Sequence, residues 1–314
     1  MTVNFASTAM VRVLVRGMAS LGLHLPNLER DLNQAKIPLD MKRAIVMSAV
    51  EQRGLVCLPL LGRGLHDLAM EPTHLALIVG QSAGSMFVRW QRLERYIHSQ
   101  HRIRIHQLEQ GWAIVEHIHK DQGPKPLAVE DLVVCGVLCA LLEANGLKSV
   151  KALANGVELF PCPEPKKLSD CVQIGQTGKW AFSWDSPEVE DCKLDLPANW
   201  AHVSPKLWSP FACSVGDLVA RQLPELLPSR EAALFMNLSL RSFQRALSEE
   251  GLSYQQIQSE VRFRLAGWHL LRRVVPIAEV GFICGYSDQA HLTREFTKRV
   301  GVTPAKYRDL FAPN

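Results

Sequence analysis

The 314-residue chain lacks several patterns that assign proteins to common classes. Its eight cysteines form no CxxC pair and no zinc-finger spacing, so we expect reduced, mostly buried thiols and no bound metal or cofactor. No apolar run reaches the roughly 20 residues that a membrane-spanning helix needs, and the start has no signal-peptide pattern. These absences favour a cytoplasmic protein that does not bind a membrane.

The last hundred residues contain an internal repeat. In each copy a small residue stands four positions before a turn residue, and a serine follows the turn. An apolar-x-Arg-x-apolar pattern then follows. The corresponding residues are Ala233, Asn237, Ser239, Phe243, Arg245 and Leu247 in the first copy, and Gly281, Gly285, Ser287, Leu292, Arg294 and Phe296 in the second.

Each element of the repeat has a physical reason. Two helices that cross steeply can touch only at a small side chain, and the turn between them needs a residue that tolerates positive φ. We expect Ser239 and Ser287 to cap the following helix by accepting its first free amide hydrogens. The apolar pair, four positions apart, would be buried on one face of that helix. The pattern therefore predicts two helix-turn-helix units.

The opposite face of each second helix is polar. It carries Arg241, Ser242, Gln244 and Arg245 in the first copy, and Gln289, His291, Thr293 and Arg294 in the second. Arg recognises guanine edges and Gln recognises adenine edges in a major groove that admits one α-helix. A single copy fits an ordinary packed helical hairpin equally well. Two agreeing copies favour binding to the major groove of double-stranded DNA.

The segment between the copies predicts a rigid spacer. From Ser253 to about Val275 the chain has helical periodicity and no proline until Pro276. About twenty helical residues span roughly 30 Å. Successive major-groove faces on one side of DNA lie about 34 Å apart, so a helix of this length would place the two units in neighbouring grooves.

Residues from about 216 to 310 resemble the DNA-binding domain of the AraC/XylS family of bacterial transcription regulators. The segments that carry the resemblance are Gly285–Gln289, Gly301–Val302 and Thr303–Arg308, with Phe296. Leu292 and Gly281 stand where the family often has Phe and Ala. The resemblance implies base contacts from Arg241, Gln244 and Arg245, and from Gln289, Ala290, His291 and Arg294, with Thr293 nearer the DNA backbone.

The charge balance is weakly basic for a DNA-binding protein. The chain has 35 Lys and Arg against 31 Asp and Glu, and 13 against 10 from position 213 onward. Neutralisation of phosphates supplies much of the affinity for DNA. We therefore expect tight binding to need both units and two chains, which would make the protein a homodimer.

The sequence predicts an α+β amino-terminal domain over 1–202 for ligand sensing or dimerisation, a linker over 203–214, and an all-α domain over 215–314 with two helix-turn-helix units joined by a long linker helix. The amino-terminal pattern, from Val11–Leu14 to Phe160–Pro161, resembles the non-cupin ligand-binding domain of one AraC subgroup. Periodicity predicts helices at Met10–Leu21, Asn27–Ala35, Met41–Arg53, Gln81–His98, Leu127–Ala144 and about 163–171. It also predicts a hairpin of Arg102–Glu109 with Trp112–Lys120, and strands at Val150–Phe160 and Lys179–Trp184.

The amino-terminal part has no catalytic constellation. His117 and His119 share one strand face, but no acidic or cysteine cluster completes a metal site. Cys162 lacks the following histidine of the repair methyltransferases that carry a similar DNA-binding domain. Three hypotheses follow: a regulator, expected to activate RNA polymerase, that a small-molecule effector controls; an enzyme fused to a DNA-binding domain, which the missing histidine disfavours; and a ligand-independent regulator whose first domain only dimerises or binds another protein. The sequence identifies neither the effector nor its binding residues.

Overall fold

The computed structural model describes residues 5–25, 36–68, 71–78, 82–97, 100–121, 123–185 and 208–312. The chain divides into two compact units. The amino-terminal unit comprises Met1–Asp67 and Ala76–Lys193, and the carboxy-terminal unit comprises Leu68–Leu75 and Leu194–Asn314. The described strands belong to the first unit, and the second is helical. This confirms the predicted order of a sheet-containing part followed by a helical part.

The elements up to position 185 alternate between helices and short strands. The helices are α1 (Thr8–Ser20), α2 (Leu39–Arg53), α3 (Pro72–Ile78), α4 (Ala83–Ile97), α5 (Ala128–Ala144) and α6 (Pro165–Ile174), with 3-10 helices at Leu55–Cys57 and Pro59–Asp67. The strands are β1 (Phe5–Ser7), β2 (Lys36–Pro38), β3 (His101–Glu109), β4 (Trp112–His119), β5 (Lys148–Ala154), β6 (Val157–Phe160) and β7 (Lys179–Asp185).

Two sheets arise from these strands. β1 pairs with β2, and the other five form an antiparallel sheet in the order β3-β4-β7-β5-β6. Along β7 the buried Trp180, Phe182 and Trp184 alternate with Lys179, Ala181 and Ser183, because successive side chains in a strand point to opposite faces. The core therefore lies on one face of this sheet.

Three helical segments of the amino-terminal unit contact one another through glycine. A Cβ atom at Gly17 of α1 would lie 2.1 Å from the Leu61 carbonyl oxygen, and one at Gly136 of α5 would lie 1.9 Å from the Pro59 carbonyl oxygen. Any side chain at these positions would overlap the backbone of the 3-10 helix Pro59–Asp67. This 3-10 helix is thus held between α1 and α5 at backbone contact distance.

The structure corrects one predicted strand. Val150–Phe160 was expected to be a single strand, but it forms the hairpin of β5 and β6, with Asn155 (φ 48°) and Gly156 (φ 76°) in the turn. Asn-Gly favours a two-residue hairpin because both residues adopt positive φ readily. The remaining predicted elements agree to within a few residues. The helix predicted at 27–35 lies outside the described residues.

The carboxy-terminal unit contains a run of helices. These are α7 (Pro210–Gln222), α8 (Ser229–Phe235), α9 (Leu240–Glu249), α10 (Tyr254–Arg272), α11 (Ile277–Ile283), α12 (Gln289–Val300) and α13 (Pro304–Phe311). α7 begins inside the segment predicted as linker, since Ser209 accepts a hydrogen bond from the Ala212 amide (3.1 Å). Trp208 and Phe211 pack against the core that α7, α8, α9 and α10 share.

A buried ionic network connects α10 to α12. The Glu260 carboxylate accepts hydrogen bonds from Arg264 on its own helix and from Arg299 on α12. The Arg299 guanidinium also lies 3.6 Å above the centre of the Phe263 ring. Burial alone would raise the pKa of Glu260, but the two guanidinium groups outweigh it and hold that pKa well below its usual range.

Among the described residues, no helix is both long and apolar enough to cross a membrane by itself. α2 and the following 3-10 helices reach such a length only as a pair, and that pair bends by 119°. The seven described cysteines are free thiols, of which only Cys162 is exposed.

Replacing Glu260 with Gln should lower the free energy of unfolding of the carboxy-terminal unit by about 3 kcal/mol, because the largely buried Arg299 loses its charge partner, while Arg264 keeps Glu71 at 3.9 Å. Because the folded-state pKa of Glu260 is depressed, its stabilisation is present above pH ~4.5 and is lost as pH falls below that value. Denaturant unfolding from pH 7 to pH 3 should therefore show a steeper loss of unfolding free energy with falling pH in the wild type than in Glu260→Gln.

The control is Glu249→Gln, which disrupts only an exposed pair with Arg245. An equal loss of unfolding free energy in the control would contradict the role assigned to Glu260.

Two glycine substitutions should have opposite effects. Gly136→Ala should destabilise the amino-terminal unit by about 3 kcal/mol or more, because its methyl group overlaps the Pro59 carbonyl. Gly281→Ala should be neutral or stabilise the carboxy-terminal unit by up to about 1 kcal/mol, because its methyl group meets its nearest atom at 3.7 Å and alanine favours a helix. Scanning calorimetry of both variants tests this contrast, and similar losses in the two would refute it.

Candidate nucleic-acid interface

The first helix pair has the predicted turn chemistry. Asn237, between α8 and α9, has φ 55°, and Ala233 is fully buried where the helices meet. The Ser239 hydroxyl accepts a hydrogen bond from the Ser242 amide (3.1 Å) at the start of α9. The predicted positive φ and serine cap are therefore confirmed in this copy.

The second helix pair uses a different cap. Gly285 has φ 70°, as predicted, but Asp288 caps α12 in place of Ser287. The Asp288 carboxylate accepts from the His291 amide (2.6 Å), and this hydrogen bond lowers the pKa of Asp288. The prediction for Ser287 was wrong because the second copy has one extra residue after its turn, which moves the start of the helix by one position.

The apolar and polar faces of α9 and α12 lie as predicted. Phe243, Leu247, Leu292 and Phe296 are at most 1% exposed. Six of the candidate contact residues are exposed, and three are half-buried. The exposed six are Arg241, Gln244, Arg245, Gln289, Ala290 and Arg294; the half-buried three are Ser242, His291 and Thr293.

The half-buried side chains make hydrogen bonds inside their own helix pair. Ser242 bonds the Ser239 hydroxyl (3.0 Å), and Thr293 donates to the Gln289 carbonyl (2.8 Å). The His291 Nδ1 atom lies 3.1 Å from the Ser287 hydroxyl, and its ring meets the Tyr286 ring edge-on at 5.2 Å. These three residues are thus oriented toward the turn or the helix backbone.

The exposed arginine of α9 is weakly held. The Arg245 Nε atom lies 3.9 Å from the Glu249 carboxylate, and both side chains are more than 70% exposed. Such a surface pair contributes about 0–1 kcal/mol. Arg245 can therefore exchange Glu249 for another acceptor at little cost.

The linker helix also supports the second turn. Arg262 of α10 donates to the Gly285 carbonyl (3.3 Å) and stacks over the Tyr286 ring at 4.9 Å. Sequence reasoning missed Arg262, Glu260 and Asp288. Only Asp288 had a local signal, since aspartate is a preferred N-cap.

Comparisons with known proteins agree with this geometry. Residues 232–309 match the family model described as a helix-turn-helix domain. The ornithine utilization regulator of Pseudomonas aeruginosa is 37% identical over 79 residues, which are 25% of this chain and 23% of the regulator. The HTH-type transcriptional regulator VqsM of the same organism is 28% identical over 95 residues, which are 30% of this chain and 28% of VqsM.

The chain thus matches only about a quarter of the length of these curated relatives. A crystal structure of a DNA-binding transcriptional dual regulator from Escherichia coli K-12 aligns with 34% of this chain and 96% of its own, with 23% identity and a TM-score of 0.32. The match to the family model falls on the segment that contains α8 to α13. Residues 232–309 therefore form a helix-turn-helix domain of the AraC type, similar in sequence to part of these transcription regulators.

Proposed function

We propose that the chain is a sequence-specific transcription activator whose two helix-turn-helix units enter the major groove of double-stranded DNA. The observation that carries this proposal is the repeated polar face. α9 and α12 each bury an apolar pair and expose an arginine and a glutamine on the opposite side. These are the side chains that bind guanine and adenine edges bidentately.

The length of α10 supports simultaneous binding by both units. Its 19 residues, Tyr254–Arg272, lie between the cap at Ser253 and Arg273, which has the left-handed conformation. At about 1.5 Å per residue the helix is roughly 29 Å long, close to the ~34 Å between major-groove faces on one side of DNA. The Glu260–Arg299 hydrogen bond would keep α12 fixed on this spacer.

We assign most base recognition to α9. Arg241, Gln244 and Arg245 are exposed. Of these three, only Arg245 has an ion-pair partner among the described residues, and this partner is the weakly held Glu249. On α12, Gln289, Ala290 and Arg294 are exposed, while His291 and Thr293 are already bonded within the unit. α12 would thus contribute fewer direct contacts.

The modest charge excess supports a homodimer on DNA. From position 213 onward, 13 Lys and Arg stand against 10 Asp and Glu. The buried Arg264 and Arg299 are engaged with Glu260, which leaves fewer cations for phosphates. Two chains would double the number of phosphate contacts.

We further propose that a small-molecule effector controls the protein through the amino-terminal unit, and that activation proceeds through RNA polymerase. A large cavity in that unit favours effector control over the ligand-independent alternative.

The central test is Arg245→Ala on the full-length chain. Loss of a bidentate base contact should weaken binding to the cognate operator by about 5- to 150-fold, or roughly 1–3 kcal/mol, with little change on random DNA. The operator would first be identified by genomic footprinting, and affinities would be measured by fluorescence anisotropy at fixed salt.

Arg221→Ala is the matched control. Arg221 of α7 is 74% exposed and pairs with Asp217 at i−4, much as Arg245 is 75% exposed and pairs with Glu249. This variant removes the same charge from the same unit and should retain operator affinity to within a few-fold. Equal losses of affinity for cognate and random DNA in Arg245→Ala would show that this side chain contacts a DNA phosphate and not a base.

A further inference from the structure

The amino-terminal unit contains a cavity of about 790 Å³. Strands β3, β4 and β7, the segment before α5 and the turn before β7 form its walls. Its volume lies within the ~300–1,000 Å³ that small-molecule sites occupy. The cavity is therefore large enough for an organic ligand of moderate size.

The carboxylates of the cavity already have partners. Glu116 lies 2.9 Å from His106 and 3.8 Å from Arg104. Asp131 is buried, and its two oxygens are bonded to His117 Nδ1 (2.8 Å) and to the Thr177 hydroxyl (2.7 Å). Neither acidic group therefore requires a cationic ligand.

The lysines of the cavity are in the opposite situation. Lys125 and Lys179 both line it and are exposed, and no carboxylate lies within ion-pair distance of either in the part of the chain that the structure describes. Burial also raises the pKa of Asp131 to about 7, which reduces the negative charge at the inner end near neutral pH. Lys179 stands opposite Glu116 across β4 and β7, but Arg104, Lys125 and Lys179 outnumber Glu116 and Asp131 on the lining, so the net charge of the cavity is positive.

Apolar side chains complete the cavity. Ile114 and Ile118 are half-buried on β4 and flank Glu116, and Leu153 lines the cavity from β5. These surfaces favour a ligand with an aliphatic or aromatic body.

We infer that this cavity is an effector site for small organic carboxylates, with the carboxylate at Lys125 and Lys179 and the apolar body against Ile114 and Ile118. A regulatory role for the bound ligand rests on the proposed function, whereas binding of the carboxylate does not. The charge selects anions, and the two isoleucines select those with a hydrocarbon portion over acetate or inorganic anions.

Isothermal titration of the full-length chain without DNA tests the site. The probes are hexanoate, octanoate and phenylacetate, each beside its neutral amide, with acetate as the small anion. At least one of the three acids should bind at least tenfold more tightly than its amide and than acetate. Absence of binding by all three acids, or equal binding of acid and amide, would overturn the inference.

The double variant Lys125→Gln, Lys179→Gln should weaken binding of that acid at least tenfold. The control is Lys148→Gln, Lys151→Gln, which removes two exposed β5 lysines that do not line the cavity and should leave binding unchanged. Equal affinity in the two double variants would place the acid elsewhere and refute the site. Thermal unfolding of both checks that they fold like the wild type.

A parallel operator-binding assay separates the two proposals. A chain that binds its operator but none of the acids contradicts only the effector site. A chain that binds an acid but shows no preference for any DNA sequence contradicts the proposed function and leaves the site intact.

Discussion

A largely buried carboxylate, Glu260, joins the second helix-turn-helix unit to the linker helix by charge. Glu260 accepts hydrogen bonds from Arg264 on its own helix and from Arg299 on α12. These charged contacts join α10 to α12. Removing either guanidinium would leave part of a buried charge uncompensated, which costs far more than losing a surface pair. Such an attachment suits the proposed binding of two neighbouring grooves, which needs α12 held firmly on the spacer.

The two units share a turn but differ in how much of their polar face is available. On α9 only Ser242 is bonded internally, whereas on α12 His291 and Thr293 both are. The extra residue after Gly285 moved the cap to Asp288 and brought the His291 ring against Tyr286 and Ser287. A single insertion thus changes the cap of α12, and it leaves fewer side chains of this helix available for the DNA contacts that we propose.

Sequence reasoning identified interactions between residues that are close together in the chain and missed those between distant residues. Asn237, Gly285 and Ser239 act within four residues, so their roles could be predicted from the sequence. Glu260 and Arg299 meet across 39 positions, and the contact of Gly136 with Pro59 spans 77. No local pattern marks such pairs, since the same residues would suit exposed helix positions or flexible loops. The Asn155–Gly156 turn was the exception: its signal was local, but the surrounding apolar residues suggested one continuous strand.

The amino-terminal unit buries ionisable groups that a purely structural core does not need. Lys42, Glu130, His117 and Asp131 are all at least 90% buried, and burial lowers the pKa of His117 to about 3. Hydrophobic residues of similar volume would fill the same space at lower cost. His117 and Asp131 also line the large cavity, so an anion bound there, as we propose, would change the surroundings of both buried groups. Under the proposed function, a ligand that binds one conformation of this cavity more tightly than another would shift the protein toward that conformation.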